Sequence, residues 1–260
     1  MPSGLHSKVP KNLYSITLSL SDKLDTLVGF FGLDLIPTGS RDPYALRRYA
    51  IALVRLIVEN KIRIKLRSII NYSLTLYKDQ GYEFDITKVL KELNNFILDR
   101  LKNYSKEKNI RLDIIESSIL SNDVDELYNG YKKAEVLNRN INKEIVQDVI
   151  GIYKRSSSIL NSELNKNKLQ LANSVDIGLF RSDFEKNLYK KIQQINKFFL
   201  NINKDDNFEE ILKELFKFKQ DVNLFFENVK VNDENEFIKK NRLELLNLLC
   251  KSFDNFFNFS

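Results

Sequence analysis

One cysteine, Cys250, is the whole thiol content of the chain, so no internal disulfide can form and no cysteine-based zinc site can be assembled. It stands in the apolar run LLNLLC at 245–250, where a small buried thiol is a commoner fate than a nucleophile. Histidine is equally scarce, with His6 the only one. Tryptophan is absent, and 8 glycines and 4 prolines in 260 residues leave few breakers, which favours long helices over many short strands. No apolar run approaches the ~20 residues that span a bilayer. The best, 50–58, is too short and contains Arg55. The first residues lack the charged-then-apolar pattern of a secretion signal, and the cytoplasm is the expected compartment, with no membrane partner.

What is present is ordinary in proportion: 43% hydrophobic and 29% charged residues, with 18 Phe and 11 Tyr. The length favours one or two domains that bury roughly 70–75% of the unfolded surface. Lys and Arg number 41 against 35 Asp and Glu, a formal charge of +6 with a pI near 9.1. That balance leans towards a polyanionic partner. The signs are interspersed, however, so a merely solvated basic surface explains it as well.

Helical spacing begins near Asn12 and runs through Ile16, Leu20, Leu24, Leu27, Val28 and Phe31. The next segment, 43–59, is apolar around most of its circumference. Tyr44, Arg48, Arg55 and Glu59 share one narrow polar stripe, which predicts a buried helix with Arg55 and Glu59 paired. Further helices are predicted at 66–77, from a cap at Asp85 to about Lys106, at 112–120, 124–138 and 143–160. Residues 161–175, rich in Asn, Lys and Ser, read as a long exposed loop and domain boundary. Amphipathic segments follow at 182–200, 208–227 and 233–257, the last opened by a capping box of Asp233 and Glu236. No repeat and no alternating strand set is visible. The expected fold is all-α.

The stretch that organises the chain is 21–48, SDKLDTLVGFFGLDLIPTGSRDPYALRR. It reads as a helix end carrying Asp22 and Asp25, a turn, and a new helix with Asp42 as N-cap and Pro43 at the first helical position. The PTGSRDP loop at 37–43 is either a structural turn or a phosphate cradle at a helix N-terminus, although Asp42 already brings a negative charge there. Arg47 and Arg48 on the following turns suit a phosphate bidentately, while Asp42, Asp34 and Asp25 offer them equal pairing within the chain. No nucleophile–base constellation, Rossmann loop or Walker motif occurs, and no catalytic residue is assigned.

The strings DKLDTLVGFF at 22–31, IPTGS at 36–40 and DPYALRR at 42–48 together resemble the beta subunit of bacterial glycyl-tRNA synthetase, in order and spacing. FILDRL at 96–101, YKR at 153–155 with IL at 159–160, FFENVKVN at 225–232 and NRLELL at 241–246 extend the resemblance over the whole chain. The family's beta subunits are far longer, so the chain resembles their C-terminal part: a fragment or the product of a split gene. The resemblance implies helical bundle regions in three parts: the end of an HD-like helical domain at 1–78, a helical linker or middle region at 79–160, and a DALR-type anticodon-binding domain at 161–260. LSDKL around Asp22 is similar to the closing aspartate segment of HD-type phosphohydrolases. That chemistry needs an upstream histidine and a His-Asp pair, which the sequence lacks, so no metal ligand is assigned.

The implied function is the tRNA-binding part of glycine–tRNA ligase. It holds tRNA-Gly and reads the anticodon while a separate alpha subunit, in an alpha2beta2 tetramer, makes glycyl-adenylate with ATP and Mg. No cofactor is expected in this chain. The candidate tRNA contacts are Arg47, Arg48, Lys154, Arg155, Lys230, Lys239, Lys240 and Arg242. Lys154 and Arg155 adjoin Tyr153, which can stack on a base or pack in a core. The last four surround a loop–helix junction suited to splayed single-stranded RNA, yet Asp233, Glu234 and Glu236 could simply neutralise them. Two other functions stay open: a non-catalytic remnant that docks on another protein through apolar helix faces, and an HD-type metal phosphohydrolase.

Overall fold

The computed structural model describes residues 8–119, 125–167, 171–201 and 207–259. Among them every regular element is helical, with an isolated bridge between Thr38 and Arg41 as the only β pairing. The chain divides into two compact units, 1–119 with 123–134, and 120–122 with 135–260.

In the first unit, helix α1 (Leu13–Gly32) is opened by Asn12, whose side chain accepts from the Ser15 N–H at 2.8 Å. Helix α2 (Leu46–Glu59) lies at the centre and packs on α1 and on α4 (Ile86–Glu107). Every residue of α2 from Ala50 to Val58 is buried, each large aliphatic side chain contributing about 1.5–3 kcal/mol by leaving water. The predicted Arg55–Glu59 pair forms at 2.8 Å, and the Tyr104 hydroxyl reaches the same carboxylate at 3.5 Å. Helix α3 (Leu66–Asp79) packs on α1 and α4, and α5 (Leu112–Ile119) packs on α4. Asp85 caps α4 as predicted, accepting from Lys88 N–H at 2.9 Å. The unit boundary falls within α6 (Leu127–Asn140).

The second unit is built from α7 (Glu144–Asn167), α8 (Asp183–Asn201), α9 (Phe208–Phe216), α10 (Phe218–Asn228) and α11 (Glu236–Asp254). Its core is aromatic: Phe208, Phe218, Phe225, Phe253, Phe256 and Phe257 are all fully buried. Three expectations need correction here. Residues 161–167 continue α7 instead of opening a loop, because Glu163 is buried on that helix and bonded to Asn232 and Lys239. The 208–227 segment is two helices, tightened at Lys217, whose N–H bonds back to the Glu214 carbonyl at 3.1 Å. Helix α11 begins at Glu236, not 233: Asn235 caps it by accepting from Phe237 and Ile238 N–H, and Asp233 instead accepts from Asn235 N–H. The expected helix ends at Leu120 and Val124, the leader 1–7 and loop residues 168–170 lie outside the described residues.

Candidate nucleic-acid interface

In the first unit the candidate cations follow a turn that aromatic packing holds down. A Cβ on Gly29 would lie 2.4 Å from the Tyr77 hydroxyl oxygen, and one on Gly32 would lie 2.4 Å from the Phe84 ring, so the end of α1 needs glycine for close approach. The Tyr77 hydroxyl donates to the Asp25 carbonyl at 3.1 Å, and its pKa is pushed up to about 12, first by burial and then by the Asp25 charge. Asp22 and Asp25 lie within α1, not at its end. Beyond Gly32, Asp34 pairs with Lys88 at 2.8 Å. Gly39 takes φ +50 in the Thr38–Arg41 turn.

Pro43 does not begin the next helix. The Tyr44 ring sits on Phe30 at 4.4 Å between centroids, and Ala45 takes a left-handed φ of 58°, so helical geometry starts only at Leu46. Asp42 nevertheless caps from outside, accepting from Leu46 N–H at 2.8 Å and Arg47 N–H at 3.0 Å. The helix N-terminus therefore already holds a carboxylate where a phosphate would sit. Arg47 directs its guanidinium to none of the three aspartates weighed for it. It donates to the Gly39 carbonyl at 2.6 Å and closes the turn. Arg48 is exposed and has no partner among the described residues.

In the second unit Lys230, Lys239, Lys240 and Arg242 lie at one junction, where the 229–235 loop and the start of α11 meet α7 at Glu163; Arg155 of α7 reaches the end of α10 through Phe226. Arg242 is buried at the junction, its side chain 8% exposed, and its Nε and Nη1 groups make three bonds. It donates to Glu185 at 2.8 Å, to Asp233 at 2.7 Å and to the Lys230 carbonyl at 2.9 Å. Glu185, whose side chain is 0% exposed, also accepts from the backbone N–H groups of Arg181 and Ser182 and from the Ser182 hydroxyl. Burial pushes the Glu185 carboxyl up, but Arg242 and the Arg181 N–H outweigh it and hold the group below the usual range. Arg242 is thus a clasp that fixes the 229–235 loop against α8.

Lys239 pairs with Glu163 at 2.9 Å. The lysine, and after it Asn232, keeps the Glu163 carboxyl below its usual range, and the same contact raises Lys239. Lys154, Lys230 and Lys240 are exposed and form no ion pair among the described residues. Tyr153 packs: it is buried against Phe253, and its hydroxyl donates to Asp254 at 2.8 Å. Arg155 is exposed and lies over the Phe226 ring, 4.2 Å from the centroid.

Sequence reasoning missed the buried polar face of α11. Asn241 grips the Asp176 backbone at both N–H and carbonyl (2.8 and 2.9 Å), and Glu244 accepts from the Ala172 and Asn173 N–H groups. The signal was there in Asn241, Arg242 and Glu244, three polar residues on a stripe of leucines. Cys250 is buried as expected, and burial first, then Asp254, pushes its thiol up to about 12. Among the described residues no three His, Cys, Asp or Glu side chains come together as metal ligands, and no helix is long and apolar enough to cross a membrane.

Residues 1–120 match the family model for the glycyl-tRNA synthetase beta subunit, and residues 149–259 match that for the DALR anticodon binding domain. The glycine–tRNA ligase beta subunit of Clostridioides difficile (strain 630) is 30% identical over 239 residues, 92% of this chain and 33% of that protein. The corresponding beta subunits of Rickettsia canadensis (strain McKiel) and Rickettsia africae (strain ESF-5) are each 33% identical over 259 residues, all of this chain and 37% and 36% of theirs. The chain spans about a third of the length of these curated relatives. It belongs to the glycyl-tRNA synthetase beta-subunit family, with a DALR anticodon-binding domain in its second half.

Proposed function

We propose that this chain is the tRNA-holding part of a glycine–tRNA ligase. The observation that carries the reading is the anticodon-binding match over 149–259, which covers α7 from residue 149 and all of α8 to α11, and with them Lys154, Arg155, Lys230 and Lys240. Exposed cations that form no ion pair give an RNA backbone its counter-charges, and base-edge contacts then supply identity. Activation of glycine, with its ATP and Mg, falls to a separate alpha subunit in an alpha2beta2 assembly in the cytoplasm. Arg242 and Lys239, being engaged within the fold, act by fixing the loop that carries Lys230. Arg47 acts likewise on its own turn, leaving Arg48 to meet a phosphate.

The test is a filter-binding titration of tRNA-Gly against the same transcript with its anticodon bases changed. Tighter binding of the native anticodon is expected, and equal affinities would remove the anticodon-reading role. A second reading, docking on another polypeptide, draws on the exposed start of α1, where Leu13, Tyr14 and Leu18 are 74%, 89% and 62% exposed. It predicts RNA binding that is weak and insensitive to salt.

A further inference from the structure

We infer that Arg155 and Phe226 form a stacking platform for one unpaired base of the bound RNA. The inference rests on the tRNA-holding function and specifies where a splayed nucleotide is gripped. Phe225 is fully buried in the core, and its ring meets Phe226 edge-to-face, 5.4 Å between centroids and 70° between planes. Phe226 is only half-buried, and the Arg155 guanidinium covers it at 4.2 Å. Arg155 remains exposed, with no carboxylate partner among the described residues. A cation over an aromatic ring at a surface is itself worth only about 0.5–1 kcal/mol. Its geometric consequence matters more: a planar, charged group is held in place with its outer side open to water.

Guanidinium planes and aromatic rings are the surfaces on which unstacked bases lie in single-stranded RNA recognition. The setting suits a nucleotide in two further ways. Lys154 is the adjacent residue on α7, and Lys230 lies just past the end of α10, two residues beyond Asn228; both are exposed and form no ion pair among the described residues, with Asp233 the carboxylate whose charge Lys230 feels. A phosphate on either side of the stacked base would then meet a lysine. The loop carrying Lys230 is itself fixed by the Arg242–Lys230 carbonyl bond of 2.9 Å, so the cation and the platform keep a set spacing. The platform accepts any base by its π-face; it therefore supplies grip, while identity comes from other contacts.

The experiment uses the 260-residue chain and a tRNA-Gly transcript carrying 2-aminopurine in turn at each anticodon-loop position. Arg155→Lys keeps the charge but loses the plane. Affinity for the transcript should fall about tenfold, the value of one stacked base, with the salt dependence unchanged. Quenching of 2-aminopurine at one loop position should be lost. Phe226→Leu, which removes the ring beneath the arginine, should give the same two changes; a circular dichroism melt matching the unmodified chain separates this from misfolding. If the unmodified chain binds with salt-dependent affinity but Arg155→Lys and Phe226→Leu both stay within about twofold of it, with quenching intact, the platform is refuted and the tRNA-holding function stands. If the unmodified chain does not bind tRNA-Gly, both fall together.

Discussion

Replacing Arg242 by methionine should be among the most damaging single changes in the second unit. Its side chain is 8% exposed and that of its partner Glu185 is 0% exposed, so the variant strands a carboxylate with no cation beside it. Removing one member of a buried pair costs about 3–5 kcal/mol. The lower end applies because the Arg181 and Ser182 N–H groups and the Ser182 hydroxyl still donate to Glu185. At about 3 °C per kcal/mol for a unit of this size, the melting temperature should drop by about 10 °C.

The pH dependence gives a sharper test. With Arg242 present, Glu185 sits below its usual pKa in the folded chain. It therefore contributes stability that is present above the unfolded pKa and is lost as pH falls through the folded one. Without Arg242 the guanidinium's share of that lowering is lost and the folded pKa rises, so acidification costs the variant less than the unmodified chain. The gap between the two melting temperatures should accordingly narrow between pH 7 and about pH 4.5. Adding Glu185→Leu to Arg242→Met should restore most of the loss, since an apolar pair of similar volume often replaces a buried ion pair at little cost. Melts followed by circular dichroism at both pH values decide the matter. A drop below about 3 °C, or a gap that does not change with pH, would refute the clasp.

Gly32→Ala places a methyl 2.4 Å from the Phe84 ring; the overpacking, about 1–3 kcal/mol, should outweigh the roughly 1 kcal/mol gained in helix propensity. Thermal melts should show a net loss, and a double-mutant cycle with Phe84→Ala should show coupling of at least about 0.5 kcal/mol. Cys250, buried and pushed up to about 12, should resist Ellman's reagent at about pH 8 in the native chain and react fully in denaturant, because the thiolate is the nucleophile. Complete native labelling within minutes would show that the α11 face opens.

Much of the helical order was written in local pattern. The apolar run 50–58 can satisfy itself only inside a core, and Asp85 ahead of an amphipathic segment gave away the start of α4. Local pattern failed where tertiary partners decide. Residues 161–167 have the composition of a loop, yet Glu163 finds Asn232 and Lys239 across the unit and the helix continues. Asp42 and Pro43 form a standard helix opening, but Tyr44 prefers the face of Phe30 and delays the helix to Leu46. Arg242 and Lys239 read as surface cations because their acidic partners, Glu185 and Glu163, lie 57 and 76 residues away in sequence. The same distance in sequence hid the Arg155–Phe226 contact, whose two residues are unremarkable when read apart.

The account turns on whether this helical chain grips an RNA backbone, and the salt dependence of tRNA-Gly affinity measures that directly. Each phosphate neutralised contributes about 0.7–0.9 to the slope of log affinity against log salt. With Arg48, Lys154, Lys230 and Lys240 as the phosphate contacts, the slope should be about −3, and it should become shallower by close to one contact when Lys230 or Lys240 is changed to alanine. A flat dependence, or a slope untouched by both substitutions, would contradict the account.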